Sequence, residues 1–157
     1  SDKEIMTFGT AGLTAAISIN ELIENGIKPE SGEILVTGST GGVGSIAIAI
    51  LSKLGYSITA ISGKQDKVDF LKEIGANEVI LREDFEAESK KPLLSEKYAV
   101  DCKIEKKQSA WEKLSSRWKI NSLNTIVNEI TLDEIKTAYE NLLSGKAVGR
   151  YVVKIAQ

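Results

Sequence analysis

Seven consecutive positions, 38 to 44, hold four glycines within the stretch ILVTGSTGGVGSIAIAI, residues 34 to 50. Glycine loses more backbone freedom on folding than any other residue, so such a cluster needs a reason. Phosphate chemistry supplies one. Glycines permit a tight turn, let backbone N–H groups approach a pyrophosphate, and let the next helix pack close to the strand. The N-terminus of that helix adds partial positive charge. Aligned to G-x-G-x-x-G, the loop reads Ser39-Thr40-Gly41-Gly42-Val43-Gly44, with serine in the first place. A nucleoside-triphosphate loop would need Gly-Lys-Ser/Thr at its end. Here Gly44 is followed by Ser45 and Ile46, so a dinucleotide loop is the better fit. The plainer alternative is a glycine-rich turn with no ligand.

The next chemistry-bearing residues lie about 20 positions on, where a dinucleotide fold carries an acid for the ribose 2′-hydroxyl of NAD. The sequence there is AISGKQDK. Ser62, Gly63 and Lys64 stand in place of the acid, and Asp66 comes late enough to serve better as a helix cap. A small hydroxyl plus a cation suits a 2′-phosphate, hence NADPH. For Lys64 the plainer alternative is a solvated surface lysine. The missing acid also counts against an S-adenosylmethionine site. A short-chain dehydrogenase would need Tyr-x-x-x-Lys, but Tyr56, Tyr98, Tyr139 and Tyr151 are followed four places on by Ala60, Cys102, Leu143 and Ile155.

The chain has no histidine and one cysteine, Cys102. Imidazole acid–base chemistry is therefore excluded within it, and no zinc site can be assembled. A lone thiol builds no disulfide framework, which makes a reducing cytoplasm the expected compartment. Cys102 reads as a packed thiol, and Trp111 and Trp118 as core or interface packing rather than a ligand platform. No residue, Tyr98 included, has a context that marks it as catalytic.

These residues need a scaffold to position them. Residues 4 to 26 have apolar positions at Leu13, Ala16, Ile17, Ile19, Leu22 and Ile23, a helical spacing that stops at Gly26. EILVTG predicts a short strand whose unbroken apolar run suits a parallel sheet covered on both faces. A helix to Gly55, the strand YSITAISG, a helix from Asp66 to Gly75 and the strand NEVILRED follow. That order, β-α-β-α-β, is the mark of a parallel α/β sheet of Rossmann type with helices on both faces. Beyond it, FEAESKKPLLSEKYA is polar, and IEKKQSAWEKLSSRW predicts a helix carrying both tryptophans. LNTIVNEI predicts a strand. TLDEIKTAYENLLSG predicts a helix with Thr131 and Glu134 as a capping box and Gly145 as its stop, and GRYVVKIA a closing strand. With 157 residues the chain suffices for one cored domain, and its net charge of −2 gives no electrostatic case for nucleic acid or an anionic membrane. No apolar run is long enough to span a bilayer, and SDKEIMTF lacks a signal-peptide layout.

Four features together resemble one family. They are Gly9-Thr10-Ala11-Gly12 opening the first helix, Thr37 to Gly44, Ser62-Gly63-Lys64, and Leu81-Arg82-Glu83-Asp84. With the tail QSAWEKL…GRYVVKI they resemble the zinc-independent medium-chain dehydrogenase/reductases, in the acrylyl-CoA reductase and quinone oxidoreductase branch. The resemblance covers nearly every residue. It implies NADPH, no metal, and hydride transfer to a carbon–carbon double bond conjugated to a carbonyl, with an enoyl-CoA or a quinone as acceptor. It implies that residues 39 to 44 hold the pyrophosphate and that Ser62, Gly63, Lys64 and Arg82 surround the 2′-phosphate. Lys64 stands where the family often has arginine, which keeps the charge and loses the bidentate fork. A homodimer in the cytoplasm is the family expectation.

Two departures limit this. The family carries a GroES-like catalytic domain ahead of this region, and residues 149–157 would be the strand returning to it. The resemblance also implies that about 50 family residues are skipped near Ala99–Val100. Residues 1–157 then represent a Rossmann-type domain from a longer enzyme, expected to be inactive alone. The alternative is a non-catalytic nucleotide-binding or redox-sensing module.

Overall fold

The computed structural model describes residues 2–84 and 104–155, with backbone alone for 104–107. The polar segment 85–99, Tyr98, the junction at 99–100 and Cys102 lie outside the described residues.

The first half builds the predicted alternation. Helix α1 (Asp2–Glu24) leads through a loop to β1 (Glu33–Val36), α2 (Gly42–Lys53), β2 (Ser57–Ser62), α3 (Val68–Glu73) and β3 (Glu78–Leu81). The three strands form one parallel sheet in the order β1-β2-β3, with Ile34 opposite Ile58 and Ala60 opposite Val79. Parallel neighbours joined through helices are the Rossmann arrangement expected from sequence. Gly26, Gly55 and Gly75 end their helices at φ of 81°, 85° and 116°, a region that side chains avoid.

Helix α1 is not one rod. At Gly9 the backbone turns to φ 44°, ψ −151°, so two helices meet at a kink. The second of them lays Ala11, Ala15, Ala16 and Ile19 into the core, against α2. The expectation that β1 is covered on both faces is not met. Leu35 is 47% exposed, whereas β2 is buried from Ile58 to Ser62. Among the described residues β1 pairs with β2 alone and stands at the end of the strand order.

The second half comprises α4 (Ile104–Ser115), α5 (Leu123–Ile126), β4 (Val127–Ile130), α6 (Ile135–Leu143) and β5 (Arg150–Val153). Strands β4 and β5 pair in parallel as a separate ribbon, with Val127 opposite Arg150. The strand expected over 123–130 is half helix: one turn of α5 runs straight into β4. Trp118 lies beyond the end of α4, so the tryptophans do not share a helix, yet the packing role holds. Trp118 is 1% exposed in the same core as Ile46, Leu71, Leu114 and Ile126, and Trp111 packs against that core. Lys113 sits 5.1 Å from the Trp118 ring centroid and donates to Asn20 Oδ1, tying α4 to α1.

Two caps differ from expectation. Helix α3 starts at Val68 after a turn of 3-10 helix at Gln65–Lys67, and Asp66 caps nothing; its carboxylate pairs with Lys67 at 3.0 Å. At α6 the box forms halfway. Glu134 Oε2 accepts the Thr131 N–H at 2.7 Å as expected, but the Thr131 hydroxyl donates to that same carboxylate, at 2.9 Å, instead of capping the helix.

Candidate functional site

The carboxyl ends of β1 and β2 and the start of α2 converge on the Gly-rich loop. Gly38 takes φ 60°, and its carbonyl accepts the Gly41 N–H at 3.0 Å, closing a tight turn. The left-handed residue that the motif asks of its first glycine is therefore Gly38, one position before Ser39. This accounts for the tolerated serine. Ser39 is fully buried, and its hydroxyl donates to Ile61 O at 2.7 Å, lashing the loop to β2. Thr40 is also buried, and its carbonyl accepts the Gly149 N–H at 2.9 Å.

Helix α2 begins at Gly42 with Gly41 as N-cap and no side-chain cap. The Ser45 N–H is the first to reach a helical carbonyl, that of Gly41 at 2.9 Å. Among the described residues the N–H groups of Gly42, Val43 and Gly44 have no acceptor, as expected for a first turn. The missing side chains keep the approach open. A methyl on Gly44 would strike Gly38 O at 2.4 Å, so only glycine lets the turn and the helix touch. Val43 points outward, 41% exposed, and contributes backbone alone. The residues present fit a pyrophosphate: three unpaired donors, helix-terminal polarity, and a cradle bare of side chains.

The second predicted group is also brought together. Ser62 is buried at the end of β2, and its Oγ accepts the Lys64 N–H at 3.0 Å. Arg82, just past β3, lies over Gly63, with its Cζ 3.9 Å from where a methyl would stand. Hydroxyl, glycine and guanidinium thus meet at the neighbouring ends of β2 and β3. Lys64 is less free than expected. Its ammonium donates to Ala147 O at 2.6 Å, and desolvation, partly offset by Asp66, holds its pKa below the usual lysine value. A cleft of about 380 Å³ opens elsewhere, among Glu4, Lys119, Asn124 and Val127, and includes none of these residues.

One residue at the loop was missed. Arg150, the first of β5, lays its stem over Gly42: a methyl there would meet Arg150 Cδ at 2.7 Å. Its Nε donates to Thr7 O at 3.3 Å. The Gly-Arg pair opening the closing strand was visible in sequence, but only the fold brings it to α2.

No family model matches the chain. YhfP of Bacillus subtilis, provisionally named a quinone oxidoreductase, is 33% identical over a match of 208 residues, which covers 98% of this chain and 63% of that protein. Its crystal structure with NAD bound superposes at a TM-score of 0.85, over 99% of this chain and 64% of that one. The structure of Escherichia coli YhdH with NADPH bound matches at TM-score 0.84 and 28% identity, over 97% of this chain and 63% of that one. Acrylyl-CoA reductase AcuI of Ruegeria pomeroyi is 41% identical over 97 residues, 62% of this chain and 29% of that protein. The chain thus spans somewhat under two thirds of YhfP and less of AcuI. Over that span it belongs to the zinc-free medium-chain dehydrogenase/reductases, in the branch of YhfP, YhdH and AcuI.

Proposed function

We propose that the chain is the nicotinamide-dinucleotide-binding part of a zinc-free reductase, and that its cofactor is NADPH. The observation that carries this is the uncapped start of α2, with three N–H groups and no side chain over a turn that Gly38 and Gly44 make possible. Residues 39–44 take the pyrophosphate, through backbone donors from 42–44, while Ser39 and Thr40 act as anchors of the loop. Ser62, Gly63, Lys64 and Arg82 take the 2′-phosphate. Lys64 then exchanges the Ala147 carbonyl for a phosphate oxygen, a stronger, charge-assisted partner. The relatives point to the cofactor class in both forms, NAD in YhfP and NADPH in YhdH; the absence of an acid at the β2 end favours NADPH here.

When bound, the cofactor supplies a hydride for a conjugated carbon–carbon double bond of an enoyl-CoA, or for a quinone. The chain's own residues bind and orient. The match to YhfP runs longer than the chain itself, which supports the reading that family residues near 99–100 are skipped. We place the activity in a longer, cytoplasmic, homodimeric parent enzyme, with no turnover by these 157 residues. A nucleotide-binding or redox-sensing module is the second reading, favoured by the partial span. NADPH-dependent reduction of acrylyl-CoA or a quinone by the purified chain would remove it. The cofactor assignment is tested by titrating NADPH and NADH. NADPH should bind at least tenfold tighter, and tighter NADH binding would sink the assignment.

A further inference from the structure

We infer that the loop between α6 and β5, residues 145–149, senses which cofactor is bound: Lys64 latches it in the free protein, and a 2′-phosphate releases it. This rests on the dinucleotide reading above. The loop joins two parts of the site that lie far apart in the chain. Its Ala147 carbonyl accepts from the Lys64 ammonium at 2.6 Å, beside Ser62 at the end of β2. Further along, the Gly149 N–H donates to Thr40 O at 2.9 Å, in the Gly-rich loop. One short segment thus touches both the 2′-phosphate end and the pyrophosphate end of the proposed site.

The two ends of the loop are held unequally. At Gly149 the fit is rigid: φ is 66°, a methyl would lie 2.0 Å from Ile126 O, and next to it Asn128 Nδ2 donates to Val148 O at 2.8 Å. The stretch before it is held less. A methyl on Gly145 would meet nothing within 4 Å, and Lys146 is exposed. The N–H groups of Lys146 and Ala147 share one acceptor, Asn141 O in α6, at 2.9 and 3.1 Å. Among the described residues, the hydrogen bond that reaches 145–147 from outside α6 is that of Lys64. Its partner there is a neutral carbonyl. A phosphate offers the ammonium a charge-assisted bond, which is about twice as strong. A ligand shifts a two-state equilibrium only by binding one state better. A 2′-phosphate meets that condition, because it takes the cation that closes the latch. NADH has a hydroxyl in that place, so Lys64 keeps the Ala147 carbonyl and the loop stays tied.

Amide hydrogen exchange at Lys146 and Ala147, followed by NMR on the purified chain, reads the latch. The probes are NADPH, NADH and adenosine 2′-monophosphate, each at a concentration that calorimetry shows to saturate. With NADPH or the monophosphate both amides should exchange roughly three- to tenfold faster than in the free protein, the loss of one hydrogen bond. With NADH they should stay within about twofold of the free protein. Lys64→Ala should exchange fast at both amides with no ligand present, while Gly149, at the rigid end, keeps its wild-type rate. Lys64→Met keeps the stem and is read the same way should the alanine variant fail to fold. A ligand-free variant as slow as wild type at Lys146 and Ala147 overturns the latch. So does an equal response to NADPH and NADH, or acceleration in the variant spread evenly over the chain. Failure of the wild-type protein to bind either dinucleotide would bring down the dinucleotide reading and the sensing with it. The ligand-free comparison tells that failure apart from failure of the latch itself.

Discussion

A methyl on Gly44 would stand 2.4 Å from Gly38 O and 2.8 Å from Ser39 Cα, both backbone atoms that no rotamer change can move aside. A methyl on Gly41 would meet the same oxygen at 3.3 Å, and Gly41 has φ −79°, ψ 171°, open to any residue. The two glycines are neighbours in one motif with unequal burdens. Gly44→Ala should cost about 2–3 kcal/mol, as overpacking against rigid surroundings does, and abolish cofactor binding, whereas Gly41→Ala should cost under about 1 kcal/mol. Urea midpoints of the two variants check this, and equal losses would refute it. The same residues show what sequence can and cannot reveal. The motif spacing located the loop because its glycines answer to local backbone geometry. It could not apportion the work within the loop. Ser39 was assigned to phosphate, yet its hydroxyl is spent on Ile61 O, a partner fixed only once β1 and β2 are side by side. Arg150 escaped notice for the same reason, since nothing local to Gly-Arg tells that it meets Gly42.

At the scale of elements, α6 offers a measurable handle. Glu134 accepts the Thr131 N–H and then the Thr131 hydroxyl, and these bonds hold its carboxyl below the usual carboxylate range. A carboxyl depressed in the folded state stabilises fully above its unfolded pKa and loses that contribution as pH falls through the folded one. Wild type should therefore melt above Glu134→Gln at pH 7, and the gap should narrow as the pH falls below the ordinary glutamate range. Thermal midpoints across that range decide it; a gap that stays constant would refute the linkage. The bond itself was legible, because a capping box joins residues three apart. Helix stops at Gly26, Gly55, Gly75 and Gly145 were legible likewise, each resting on one left-handed residue. What escaped were features set by packing. The bare Cα of Gly9 at the kink leaves room for Arg150, the strand over 123–130 gives its first turn to α5, and among the described residues β1 ends the strand order despite an apolar run that suits a sheet centre.

Across the molecule, apolar surface is unevenly hidden. The core joins α1 and α2 to β2, α3 and the α4–α5 region, but α6 gives it little. Of that helix only Ala138 is buried, while Ile135, Tyr139, Leu142 and Leu143 are exposed, the last at 72%, with Leu132 just ahead of them also exposed. Ile135, Tyr139 and Leu142 recur at helical spacing, so they form a stripe and not scattered positions. A contiguous apolar stripe on an exposed helix favours association, because apolar area then leaves water on contact. The chain should therefore self-associate at tens of micromolar concentration. The double variant Tyr139→Lys with Leu142→Glu should shift it toward monomer. These side chains bury little within the chain, so the thermal midpoint at low concentration should move by less than about 2 °C. Sedimentation velocity across a concentration series separates the outcomes. Identical distributions for variant and wild type would show that any association, the proposed homodimer included, uses another surface, and a large fall in midpoint would show that the stripe is packed within the fold.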